Sequence, residues 1–184
     1  MGGLAGIGIT MGAGSLRASE NSELQEVEVT SALLLSQFGL AVVMIFICTV
    51  IHILLTTVII AGNHNEKLRR WMARSTLRQV VVIALAALIT FVAMAVEIVA
   101  WALLYLQLGA LSDVEKALYF SAVSFTSLGY GDVTLQSHYR LLGSFEALVG
   151  ILMAGWSAAL LVAVSQKIIA MRRDSHQTDP SRPF

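Results

Sequence analysis

The sequence predicts an all-α membrane protein in which three helices cross the bilayer and a shorter, re-entrant helix lies between the second and the third. Three observations lead there. Of 184 residues, 57% are hydrophobic and 13% charged, against roughly 25% charged in a soluble domain. The apolar residues fall into three runs: Leu33 to Ala61 without a charge, Val80 to Leu108 with one, and Leu142 to Ala170 with two. Each exceeds the ~20 residues that cross ~30 Å of hydrocarbon. Between the last two runs lies a segment too short to cross, which ends in the polar, glycine-rich stretch Thr126-Ser127-Leu128-Gly129-Tyr130-Gly131-Asp132.

Zero net charge conceals an asymmetry. Lys67, Arg69, Arg70, Arg74 and Arg78 stand between the first two runs against Glu66 alone. Lys167, Arg172, Arg173 and Arg182 follow the third against Asp174 and Asp179. The opposite side holds Arg17, Lys116 and Arg140 against Glu20, Glu23, Glu26, Glu28, Asp113, Glu115 and Asp132. The positive-inside rule therefore places the first connector and the C-terminus in the cytoplasm and the N-terminus outside. Beside a hydrophobic run, the basic cluster suits anionic lipid headgroups rather than nucleic acid. Cys48 is the single cysteine, which excludes an intrachain disulfide or a cysteine metal cluster. With no nucleophile–base grouping or metal-ligand cluster visible, an enzyme is not expected.

The elements follow in order. Residues 1–32 read as an acidic outer region. Its first part, to about Ala18, is glycine-rich and expected to be mobile, and Glu20 to Glu28 is a short surface helix or solvated coil. Thr30 or Ser31 caps the first span, 33–61, which packs peripherally. Cys48 reads as a packed apolar thiol. No ladder of positive charges appears, so a voltage sensor is not expected. His52 lies in the inner half, either titrating or bonded to a neighbouring helix, or neutral and satisfied by Thr49 or Thr56. Gly62-Asn63-His64-Asn65 suits a helix end. Leu68, Trp71, Met72 and Ser75 among the basic residues make 62–79 a cytoplasmic connector with an interfacial helix.

The second span, about Gln79 to Leu108, contains Glu97 roughly 16 Å below its outer end by helical rise. A carboxylate there must face protein, water or a partner, or carry a proton. It either takes part in function or bonds to the following short helix. Trp101 and Tyr105 suit the outer aromatic belt. Gly109-Ala110 turns the chain. Ser112 with Glu115 has capping-box spacing, opening a helix to about Phe125. Non-helical backbone after it survives at membrane depth only when covered by protein or facing a water-filled cavity.

A hydroxyl residue, an aliphatic residue and then Gly129-Tyr130-Gly131-Asp132 resemble the selectivity filter of potassium channels. The closest type is the small prokaryotic one, with an Ion_trans_2-like pore domain at 80–170 and here one additional N-terminal helix. Glycines at alternate positions can turn a row of carbonyls to one side, where they replace the water shell of a cation. That ion-site chemistry is the family's and comes with the resemblance. It implies potassium bound by the carbonyls of Ser127, Leu128, Gly129 and Tyr130, with the Ser127 hydroxyl innermost. Thr126, Gly131 and Asp132 would support the filter, with Tyr119 and Phe120 packing around it. Ser127 stands where the family has threonine, which frees its χ1, and Leu128 replaces valine or isoleucine. Some members carry a glutamate where this chain has Val123, so Asp132 needs another partner, Tyr119 or water.

In the third span, which lacks proline, Gly150 resembles the family's inner-helix hinge or is a close-packing glycine. Gly150, Gly155 and Glu97 are the candidates for gating. Glu146 is expected to brace the filter from behind. Ala154, Ser157, Ala158 and Ala159 leave room for a water-filled cavity, with Trp156 turned away or narrowing its side. Residues 171–184, with Pro180 and Pro183, read as a short cytoplasmic tail. The resemblance implies a homotetramer in a prokaryotic inner or plasma membrane that passively conducts potassium. A weakly selective monovalent cation channel and a non-conducting membrane adaptor or regulatory subunit are the alternatives.

Overall fold

A computed structural model of the chain describes residues 7–64, 71 and 75–177. Four α-helices are present among them: α1, Ile7–His64; α2, Thr76–Gln107; α3, Val114–Phe125; and α4, Arg140–Gln177, preceded by a single 3-10 turn at Ser137–Tyr139. Three stretches, Glu23–Ala61, Thr76–Gln107 and Ser137–Ala170, are long and apolar enough to cross a bilayer. The chain is an all-α, multi-pass membrane protein. By contrast α3 has 12 residues, about 18 Å of rise.

The chain divides into two compact units, Met1–Leu40 and Ala41–Phe184. In the first, α1 already begins at Ile7 and runs without a break through Thr30 and Ser31, where a mobile stretch to about Ala18 and a new helix cap at Thr30 or Ser31 were expected. Nothing between Arg17 and Thr30 is a helix breaker, and extending an existing helix adds one hydrogen bond for each residue fixed, without a new nucleation cost. The basic residues Lys67, Arg69, Arg70 and Arg74 lie outside the described residues, as does the tail beyond 177. Trp71 is helical and exposed, and the Arg78 guanidinium lies 4.8 Å from its ring centre.

In the second unit α2, α3 and α4 pack on one another. The packed stripe of α2 is Gln79, Ala86, Thr90, Ala93, Glu97, Trp101 and Tyr105, at intervals of three, four and seven. Leu77, Leu85, Leu88, Phe91 and Leu103 point outward and are exposed. Small and polar residues inside with leucine outside is the inverse of a soluble helix and suits lipid as the solvent. Trp101 and Tyr105 are fully buried, contrary to their expected place in an aromatic belt. They follow Glu97 at four-residue steps and share its inward face.

The start of α3 also differs from expectation. Asp113, not Ser112, is the N-cap, and its Oδ1 accepts the Glu115 N–H at 2.8 Å. A carboxylate on the cap itself satisfies that donor and favours the positive helix end. At the far end, the foot of α3 meets α4 at Gly150. A Cβ there would run into the Phe125 carbonyl, so this glycine is required by close packing. Gly155 has open space where a Cβ would go. Replacing Gly150 by alanine should cost about 1–3 kcal/mol through backbone displacement, whereas Gly155→Ala should be neutral or slightly stabilising. Thermal unfolding of the two variants in detergent checks the contrast.

Candidate functional site

The glycine-rich segment begins where α3 must stop. The last carbonyls of a helix lack partners inside it. Here the Ser127 N–H donates to the Ser124 carbonyl at 2.8 Å and the Leu128 N–H to the Val123 carbonyl at 2.9 Å. The Gly129 N–H points to the same Val123 oxygen at 3.3 Å. This paired pattern is a Schellman turn, which needs a left-handed residue just past the cap. The same turn ends α2, where Gly109 supplies φ 64° and Gly109 and Ala110 donate to Leu106 and Tyr105. At the end of α3 the left-handed residue is Ser127, with φ 57°. Gly129 and Gly131 follow with φ 58° and 79°. Among the described residues Ser127 is the only non-glycine with positive φ, so the sign alternates from 127 to 131. Leu128 and Tyr130 are exposed.

Two carboxylates hold the surroundings. The Tyr119 hydroxyl donates to Asp132 Oδ2 at 2.7 Å, taking the role left open by Val123. That bond holds the Asp132 carboxyl below its ordinary range and raises the Tyr119 hydroxyl. The contact is therefore in place at neutral pH and weakens as pH falls through the lowered Asp132 value. Glu146 is fully buried. Its Oε2 accepts the Tyr105 hydroxyl at 2.7 Å, and its Oε1 accepts the Ser121 hydroxyl. Ser121 also lies 2.8 Å from the Ile98 carbonyl. One carboxylate thus ties α4 to both α2 and α3. Phe120 packs edge-on against Tyr105 with centroids 5.3 Å apart, and Gly143 lets its ring approach α4. A cleft of about 420 Å³ behind the segment is lined by Tyr119, Ser127, Asp132 and Arg140 among others.

Glu97 bonds elsewhere than to α3. Its Oε1 lies 2.9 Å from His52 Nδ1, and His52 Nε2 lies 3.3 Å from the Ser157 hydroxyl. Thr49 and Thr56 do not satisfy the imidazole; their hydroxyls go to the backbone carbonyls of Ile45 and His52. Trp156 stands against His52, centroids 5.8 Å apart, and Ser157 turns to the same histidine. Among the described residues no cluster of His, Cys, Asp or Glu suits a metal ion.

Sequence reasoning places Thr126, Val123, Phe120 and Tyr119 near the segment, and the structure brings them together there. It misses Ser121 and the inward role of Tyr105. The four-residue spacing from Glu97 is the available signal for Tyr105; nothing local marks Ser121.

Residues 80–167 match the family model Ion_trans_2, described as an ion channel. This stretch, just under half of the chain, takes in most of α2, all of α3, the glycine-rich segment and most of α4. No curated protein and no solved structure gives a match.

The left-handed Ser127 yields a paired expectation. Ser127→Gly should preserve or raise stability by up to about 1 kcal/mol, because glycine adopts that backbone freely. Ser127→Thr should be destabilising by about 1–3 kcal/mol, since a β-branched residue at positive φ is an outlier. Separately, Ser121→Ala should cost about 1–3 kcal/mol by leaving a buried Glu146 oxygen without its donor. Unfolding midpoints in detergent measure all three.

Proposed function

We propose that the chain is one subunit of a passive, potassium-selective channel, with α3 as the pore helix and residues 127–131 as the filter. One observation carries this reading. Within a stretch that matches an ion-channel model, a short helix stops at an exposed segment whose backbone alternates in handedness at Ser127, Gly129 and Gly131. Such alternation can turn successive carbonyls to a common side, as cation sites built from peptide oxygens require. The negative end of the α3 dipole lies at the start of that segment and favours a cation there.

One segment provides one wall. Closed symmetry with four copies about an axis surrounds an ion, and the exposed Leu128 and Tyr130 would then meet neighbouring copies. α2 and α4 act as the outer and inner helices, α1 packs outside them, and the Tyr119–Asp132 and Glu146 contacts hold the filter from behind. Potassium enters dehydrated and moves between the carbonyl sites of Ser127 to Tyr130 without nucleotide hydrolysis; no enzymatic step is involved. The basic connector contacts anionic lipid on the cytoplasmic side of a prokaryotic plasma membrane.

A second reading, a weakly selective monovalent cation channel, has its own support. The family match carries no ion specificity, and Ser127 lacks the methyl group that would fix a threonine hydroxyl. Reversal potentials of the full chain in liposomes under potassium–sodium gradients separate the readings. Potassium selectivity that falls at least about tenfold in Gly129→Ala, the equivalent of ~1.4 kcal/mol, supports the first. Equal permeability in the unmodified protein supports the second, and absence of flux removes both in favour of an adaptor. Gly129 has φ 58° and no neighbour within 4 Å of a Cβ, so the substitution strains the backbone without a clash inside the chain.

A further inference from the structure

Outside the proposed ion path, one buried polar group joins three helices. His52 on α1, Glu97 on α2 and Ser157 on α4 form a single hydrogen-bonded chain. His52 and Glu97 are fully buried and Ser157 nearly so. Among the described residues the backbone of α1 does not approach the other helices as closely as α2, α3 and α4 approach one another, so side-chain contacts such as these link it to them. We propose that His52 and Glu97 form a proton-binding site at membrane depth whose occupancy is transmitted to α4 through Ser157.

The charge arithmetic leads to this. With neutral imidazole and ionised carboxylate the pair carries one net negative charge. Its outer oxygen, Glu97 Oε2, is buried without a hydrogen-bond partner. A net charge at that depth is costly. One added proton makes the pair neutral, either as imidazolium with carboxylate or as imidazole with carboxylic acid. A second added proton makes the net charge positive. The singly protonated pair is therefore the form that the apolar surroundings favour.

The neighbours fit. From α1 the facing titratable group is the buried thiol of Cys48; from α2 it is Glu97 itself, with Trp101 beyond. α4 offers only uncharged groups, Ser157 and the face of Trp156, whose ring tolerates an imidazolium nearby. Tyr105 and Glu146, further along the same faces, are occupied with each other and Ser121. The bases on these two helices stand away along the chain: Arg78 near the start of α2, Arg140 at the start of α4, and Lys167, Arg172 and Arg173 at ten or more residues beyond Ser157. A proton is therefore the cation that neutralises the pair.

Ser157 makes the state legible on α4. With the added proton at the Nδ1–Oε1 contact, on either atom, His52 Nε2 carries hydrogen and donates to the Ser157 oxygen. In the deprotonated form that nitrogen can instead accept from the hydroxyl. Loss of the proton at the Nδ1–Oε1 contact thus reverses the direction of the bond to α4. Ser157 lies on α4 between the exposed Ala154 and Ala158.

The flux part of the test rests on the channel reading; the proton site itself does not. The full chain is prepared with His64, His138 and His176 each replaced by glutamine, which leaves His52 the only histidine. Ring ¹⁵N shifts are followed in liposomes between about pH 5 and 8, the range of a histidine switch. The expected result is a titration of His52 that moves when Glu97→Gln is added. Cation flux should change at least about fivefold over the same interval, the low end of coupling between linked sites. Ser157→Ala should keep the ring titration while flattening the flux profile. A His52 ring unchanged across that interval overturns the proposal, as does a flux–pH profile that Glu97→Gln leaves intact. If the glutamine variant does not fold, the ring titration of the otherwise unmodified pair still decides. Absence of flux at every pH counts against the channel, and the ring titration alone then decides whether the proton site exists.

Discussion

The stopping of α3 at the buried Phe125 is the constraint on which the surrounding structure depends. A helix leaves its last carbonyls without partners inside it, and they must find donors elsewhere. This chain finds them in its own next residues: Ser127, Leu128 and Gly129 fold back on Ser124 and Val123. The left-handed turn that does so also launches the alternating backbone of 127–131. Helix termination and the presentation of the glycine-rich segment are one event, set by the same three amides.

Two buried carboxylates then divide the work of holding the helices. Glu146 has a donor on each oxygen, from Tyr105 and Ser121, and such a fully satisfied group rigidifies its surroundings. Glu97 has one oxygen on His52 and the other unpaired. The difference follows from what faces each residue: two hydroxyls for Glu146, one imidazole for Glu97. Both are intramembrane acids, yet one is saturated and the other has proton capacity to spare.

Much of the architecture was legible in the sequence because it depends on composition within short windows. Long apolar runs with few charges defined the three spans, and turn residues around Gly109 and Gly62 marked the breaks. The short helix was also readable, although Asp113 rather than Ser112 takes the capping role, since either residue can cap and only local geometry chooses. The helical start at Ile7 was not legible, because glycine and small residues there argue weakly for coil. The pairing of His52 with Glu97 crosses 45 positions, and no local spacing encodes it. Tyr105 illustrates a readable signal with two meanings: its position suits headgroups, while its face is the buried one. For Gly150 the sequence allowed hinge or contact equally, and the Phe125 carbonyl standing where a Cβ would go shows the contact.

That meeting of Gly150 with Phe125 has a mechanical corollary. Contacts between side chains yield by rotamer changes, but main chain resting on main chain has no such slack. α4 therefore bears directly on the residue from which the fold-back turn springs. An axial slide or tilt of α4 at this level would be handed to Thr126 and Ser127 undamped, as through a rigid coupling, with no intervening cushion of torsions.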